Sequence, residues 1–94
     1  LKIPPMHTAT DLQEQFNLAT DDVKQLQEKP SNESLLSLYS LYKQATEGDV
    51  NVDEPANPFD FVSRAKYEAW ASLKGKSKEW AMQEYVDLVH KLRS

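Results

Sequence analysis

The chain has 94 residues, a formal net charge of -4 and no cysteine. That length suffices for one domain with one core, and the lack of cysteine excludes disulfides and thiolate-based zinc or redox sites. The acidic balance speaks against non-specific nucleic-acid binding, which needs a broad basic surface, although a few lysines can still form a local positive pocket.

The opening stretch "LKIPPMHTATD" has neither an apolar h-region nor a basic n-region, so no signal peptide is expected. No apolar run approaches the roughly 20 residues of a membrane span. Met6 reads as the natural start, residues 1–5 as an expression remnant, and residues 1–10 as an extension ahead of one domain over 11–94.

Scarce glycine and five prolines cut the chain into four segments with helical spacing. The first is predicted over Asp11 to Gln27, with Thr10 as N-cap and Gln13 three residues on. Its stripe is Phe16, Ala19, Val23 and Leu26. The second is predicted over Asn32 to Glu47, capped by Ser31 and stopped by Gly48. Its apolar residues (Leu35, Leu36, Leu38, Tyr39, Leu41, Tyr42, Ala45) cover more than one stripe. Such a helix needs neighbours on several sides, or a neighbour and a ligand.

"GDVNVDEPANPFD" reads as a loop. It is longer than the roughly 2–8 residues common between helices of bundles, so a crossover is allowed. The third helix is predicted over Phe61 to Leu73, capped by Asp60 and closed by Gly75. The fourth runs over Lys78 to Leu92, capped by Ser77, with Ala81, Tyr85, Val89 and Leu92 on one side. No segment alternates with period two, so the expected class is all-α.

Catalytic signatures are missing. There is no Gly-x-Ser-x-Gly elbow and no His-x-x-x-His or Glu-x-x-His pair, and His7 and His90 stand far apart. "DVNVDE" lacks the glycine and terminal glutamate of a calcium loop. No glycine-rich phosphate loop is present. Neither an enzyme nor a metal or cofactor site is expected.

One stretch does raise a chemical question. In "YSLYKQATEGD", Tyr39 and Lys43 are four residues apart and share a helix face, while Tyr42 lies about 60° to the other side of Tyr39. Tyrosines so placed are commonly core-edge residues, and the lysine commonly solvated. The third helix repeats the mixture in "SRAKYEAW", with Arg64, Lys66, Tyr67 and Trp70. Aromatic faces stack on bases for about 1–3 kcal/mol each, and lysine is a point charge for phosphate. With the neighbouring leucines, these residues fit an amphipathic anion with an aromatic head.

The motifs "KPSNESLLSLYSLYKQATEGD" and "AKYEAWASLKGKSKEWAMQEYVDLV" carry a resemblance to the acyl-CoA-binding protein family over Phe16 to Leu92. The resemblance implies a four-helix bundle of up-down-down-up topology with a long loop between helices 2 and 3. It further implies non-covalent binding and intracellular transport or buffering of medium- to long-chain acyl-CoA, with no reaction catalysed. The implied ligand residues are Lys24, Tyr39, Ser40, Leu41, Tyr42, Lys43, Lys66 and Tyr85. Lys43 and Lys66 would meet the 3′-phosphate, and Tyr42 and Tyr85 would border adenine and ribose. Leu35, Leu36 and Leu38 would flank the acyl groove.

A cytoplasmic monomer is expected, its partners being acyl-CoA thioesters and, transiently, membranes or acyl-CoA-using enzymes. Thr20, Tyr67 and Trp80 depart from the family's usual residues. Val62 and Ser63 replace a usual Lys-Gly pair, and the loop is one residue longer than common. The rival reading is a protein-interaction bundle that keeps the fold and uses Trp80 or the acidic loop.

Overall fold

The computed structural model describes residues 9–94, so most of the expected N-terminal extension and His7 lie outside the described residues. Four helices follow in order: α1 (Ala9–Val23), α2 (Asn32–Glu47), α3 (Phe61–Ala71) and α4 (Lys78–Arg93). No strand occurs among the described residues.

Three helices begin where their caps demand. The side chains of Ser31, Asp60 and Ser77 accept from the backbone N–H of Ser34, Ser63 and Trp80, at 3.1, 3.1 and 2.9 Å. Each bond satisfies a donor that the first helical turn leaves free. α2 stops at Gly48, whose φ of 81° is open to glycine at little cost and whose N–H reaches back to the Gln44 carbonyl at 3.1 Å.

α1 differs from expectation at both ends. Thr10 is inside the helix rather than its cap, and the helix ends at Val23 rather than Gln27. Asp21 and Asp22 sit in its last turn, where the negative end of the helix dipole disfavours anions, and the turn holds no basic residue of its own, although Arg93 of α4 pairs with Asp22 at 3.0 Å. Lys24 and Gln25 then turn through i to i−3 bonds to Asp21 and Asp22, at 3.1 and 2.9 Å.

Pairwise contacts give the directions. Phe16 meets Tyr85 and Asp22 meets Arg93, so α1 and α4 run parallel. Tyr39 meets Lys66 and Lys43 meets Trp70, so α2 and α3 also run parallel. Tyr42 meets Tyr85 while Gln44 meets Lys76, so α2 is antiparallel to α4. The topology is up-down-down-up, and the long 48–60 connection makes the parallel α2–α3 pair possible. α4 packs on both α1 and α2, and α2 also packs on α3.

The core gathers Phe16, Ala19, Leu38, Leu41, Ala45, Ala81, Tyr85, Val86 and Val89. Trp80 is half-buried and packs against that core, with Lys76 Nζ 5.0 Å from its ring centre.

A polar knot closes the end of the bundle. Fully buried Gln44 donates from Nε2 to Asp49 Oδ1 (2.9 Å) and to the Lys76 carbonyl (2.8 Å). The Gly75 N–H also donates to Asp49 Oδ1, at 2.9 Å. These bonds, led by that from Gly75, hold the Asp49 carboxyl below the usual aspartate range. A lowered folded value means that the unfolded chain binds the proton more readily. The stabilisation is thus complete above the ordinary value and lost as pH falls through the lowered one. In a melting series from about pH 5 downward, Asp49→Asn should show a shallower loss of Tm than wild type. Equal slopes would mean that Asp49 contributes nothing to acid sensitivity.

Candidate functional site

The parallel α2–α3 pair is joined by two reciprocal cation–aromatic contacts. Lys43 of α2 places Nζ 5.0 Å from the Trp70 ring centre, and Lys66 of α3 places Nζ 5.3 Å from that of Tyr39. Each helix thus supplies one cation and one ring. Such contacts are worth about 0.5–1 kcal/mol when exposed, enough to orient an ammonium group without trapping it.

Lys43 also pairs with Glu47 one turn on, and this bond raises the lysine pKa and lowers that of Glu47. Lys43 therefore remains cationic, with a carboxylate partner that an incoming phosphate would compete against. Trp70 is anchored beneath it, 2% exposed, donating from Nε1 to the Gly48 carbonyl at 2.9 Å.

On the adjoining side of α2, three rings pack together. Phe16 stacks with Tyr42 at 5.8 Å and meets Tyr85 edge-on at 5.1 Å, and Tyr42 lies 6.3 Å from Tyr85. Tyr85 is buried, which pushes its phenol pKa up. Tyr42 remains 44% exposed, so one broad aromatic surface is available on a fixed base.

Below Tyr39 and Lys66 the α2–α3 seam opens into a groove of about 390 Å³, lined by Asn32, Leu35, Leu36, Tyr39, Phe61, Val62, Ala65 and Lys66. Its walls are mainly apolar and its polar groups stand at the ends. Phe61 and Val62 are 72% and 66% exposed, a cost in water that a hydrocarbon ligand would remove. Another cavity, about 550 Å³, lies elsewhere, between the turn after α1 and the end of α4. It is polar, with Asp22, Gln25, Glu28 and Arg93 in its wall, and has no aromatic lining.

The residues singled out from the sequence thus fall into several places. Tyr39, Lys43 and Lys66 flank the seam, and Leu35 and Leu36 line its groove. Tyr42 and Tyr85 belong to the adjoining ring cluster. Lys24 is exposed in the turn after α1, with no ring or ion contact tying it to the tyrosines. Leu38, expected beside the acyl groove, turns into the core and is 6% exposed. Ser40 and Leu41 are buried and border a separate cleft of the seam.

Three contributors escaped the sequence reading. Phe16 looks like any stripe residue, and only the tertiary fold reveals it as the third ring. Phe61 and Ala65 carry a weak signal, since Phe61, Val62, Ala65 and Lys66 share a face at helical spacing.

The family model described as acyl CoA binding protein matches residues 13–89. The chain belongs to the acyl-CoA-binding protein family. Its relatives include the acyl-CoA-binding protein of Dictyostelium discoideum, 51% identical over 77 residues, covering 82% of this chain and 90% of that protein. The match to enoyl-CoA delta isomerase 2 of Rattus norvegicus is 50% identical over 82 residues, covering 87% of this chain. The chain spans only 21% of that isomerase.

Among solved structures, Oryza sativa acyl-CoA-binding protein 2 superposes with a TM-score of 0.80 at 44% identity, covering 86% of this chain and 89% of that one. The acyl-CoA-binding protein of Moniliophthora perniciosa also gives 0.80, at 36% identity, covering 93% and 82%. The four-helix topology is thus that of the acyl-CoA-binding fold.

Proposed function

We propose that this chain binds medium- to long-chain acyl-CoA thioesters non-covalently and leaves them chemically unchanged, buffering and carrying them in the cytoplasm as a monomer. The observation that carries this reading is the apolar α2–α3 groove ending at Tyr39 and Lys66, beside Lys43 and the Tyr42 face. An amphipathic anion needs both halves. Leu35, Leu36, Phe61, Val62 and Ala65 hold the hydrocarbon. Lys43 and Lys66 meet the 3′-phosphate. Tyr42, backed by Phe16 and Tyr85, offers its face to adenine and ribose.

The magnitudes are adequate. Each buried methylene contributes about 0.8 kcal/mol, so ten give about 8 kcal/mol gross, before the chain-ordering cost is subtracted. Stacking and two charge-assisted contacts add several more, against about 12 kcal/mol for a nanomolar complex. No nucleophile–base arrangement enters this proposal. The carried ligand passes to acyl-CoA-using enzymes or membranes by dissociation, since nothing binds it covalently.

Isothermal titration with palmitoyl-CoA, CoA and palmitate tests the reading. Tight one-to-one binding of the thioester is expected, with both fragments far weaker, because each satisfies only half of the site. Absence of binding at every acyl length would sink the proposal and leave the fold as a protein-interaction scaffold.

A further inference from the structure

Three of the eleven basic residues of this acidic chain fall within five positions, as Lys74, Lys76 and Lys78 in and beside the turn between α3 and α4. All three are exposed, and none enters an ion pair among the described residues. We propose that this turn is an electrostatic guide: it speeds the arrival of the anionic CoA head at Lys43 and Lys66 without touching the ligand once bound. The inference rests on the acyl-CoA reading and extends it to the rate of association.

The need follows from charge. A CoA head carries a 3′-phosphate of about −1.5 to −2 and a diphosphate besides. A chain of net charge -4 repels such a ligand at long range. Lys43 cannot offset this by itself, because Glu47 pairs with it until a phosphate displaces the carboxylate. Free cations beside the site reverse the local field, and their effect falls on the encounter rather than on the bound state.

The turn lies next to the head site and is held in place. The Lys78 stem runs along Gly48, where an added Cβ would lie 3.6 Å from Lys78 Cε. The Gly48 carbonyl accepts from Trp70 Nε1 at 2.9 Å, and Lys43 Nζ stands 5.0 Å from the Trp70 ring centre. One backbone unit and one ring thus separate Lys78 from a head-binding lysine. Gly75 turns at a φ of 93°, its N–H bonded to Asp49 at 2.9 Å, and Gln44 fixes the Lys76 carbonyl at 2.8 Å. The ammonium groups are therefore presented from a fixed backbone. Of the acids at this end, Glu47 is paired with Lys43, Asp49 is turned onto Gly75 and Gln44, and Glu79 is exposed beside Lys78. Three lysines against Asp49 and Glu79 leave the turn net positive.

Stopped-flow kinetics with dodecanoyl-CoA tests this, followed by tryptophan fluorescence for association and by displacement for dissociation. The double variant Lys76→Gln, Lys78→Gln is compared with Lys29→Gln, Lys91→Gln, which changes the net charge equally at the far end of α4 and before α2. All four side chains are exposed, and Gln44 uses the backbone carbonyl of residue 76, so folding is retained and melting curves check it. At about 10 mM salt the turn variant should associate about threefold to tenfold more slowly than wild type, with dissociation unchanged within about twofold. The far-end variant should differ from wild type by less than about twofold. Lys76→Glu with Lys78→Glu should slow association further, and all rates should converge by about 0.5 M salt. An unchanged association rate in the turn variants overturns the guide and leaves the acyl-CoA reading intact. Equal slowing in the far-end variant also overturns it, since net charge alone would then suffice. A change mainly in dissociation, or one that persists at high salt, overturns it because the lysines would then touch the ligand. Failure of wild type to bind any thioester overturns the guide and the acyl-CoA reading together.

Discussion

Trp70→Ala is expected to destabilise the protein by about 3–5 kcal/mol, the usual cost of emptying a large aromatic site. For a domain of this size that corresponds to a fall in Tm of roughly 15 °C or more. The effect is large because Trp70 is the one buried residue of α3. α3 packs on α2 alone, so it has no second neighbour to hold it when the indole is gone. The bond from Nε1 to the Gly48 carbonyl at 2.9 Å is lost as well, and Lys43 loses the face that it stands over. Trp70→Phe should cost less, since most of the apolar volume stays and chiefly the hydrogen bond is removed, about 1 kcal/mol. Denaturant melts followed by circular dichroism check both values. A loss below about 1 kcal/mol for the alanine variant would mean that α3 is held by the 48–60 loop instead. Because α3 forms one wall of the groove, palmitoyl-CoA affinity should fall together with stability.

Lys43→Ala is expected to weaken palmitoyl-CoA binding by about tenfold to a hundredfold, the range for losing one charge-assisted bond. The loss should shrink to about twofold for the ester of 3′-dephospho-CoA, where the lysine has no phosphate to meet. That comparison separates a missing cation from a damaged fold, which would weaken both ligands alike. Glu47→Gln gives the opposite sign. It removes the carboxylate that now holds Lys43, so affinity for the phosphorylated ester should rise by a few fold. Since Lys43 is partly solvent-accessible, the whole effect should weaken as salt is raised. Equal losses for the two esters in Lys43→Ala would remove the phosphate role from Lys43.

Local chemistry explains where the sequence was legible. α2 begins at Asn32 and ends at Glu47 as expected, because Ser31 supplies an acceptor at one end and Gly48 a positive φ at the other. Those are properties of single residues, and no neighbour is needed to enforce them. α3 and α4 begin on their caps for the same reason. α1 was less legible: its apolar stripe continues to Leu26, but the helix ends three residues earlier, with two aspartates in its last turn where the helix dipole disfavours them.

The pairing of Lys43 with Trp70 and of Lys66 with Tyr39 could not be read from spacing, because each contact crosses between helices. Spacing placed Tyr39 and Lys43 on one face, and only the parallel packing of α3 set a ring beneath one and a cation above the other. Leu38 shows the same limit in the other direction. By type it could have faced groove or core, and packing of α2 against α4 sent it inward. The sequence by itself determined the four helices, the caps of α2, α3 and α4, and the residue types that suit the proposed acyl-CoA ligand. The tertiary structure decided which of those side chains share a cavity, because a helix fixes the direction of its own residues and only a neighbour fixes what they meet.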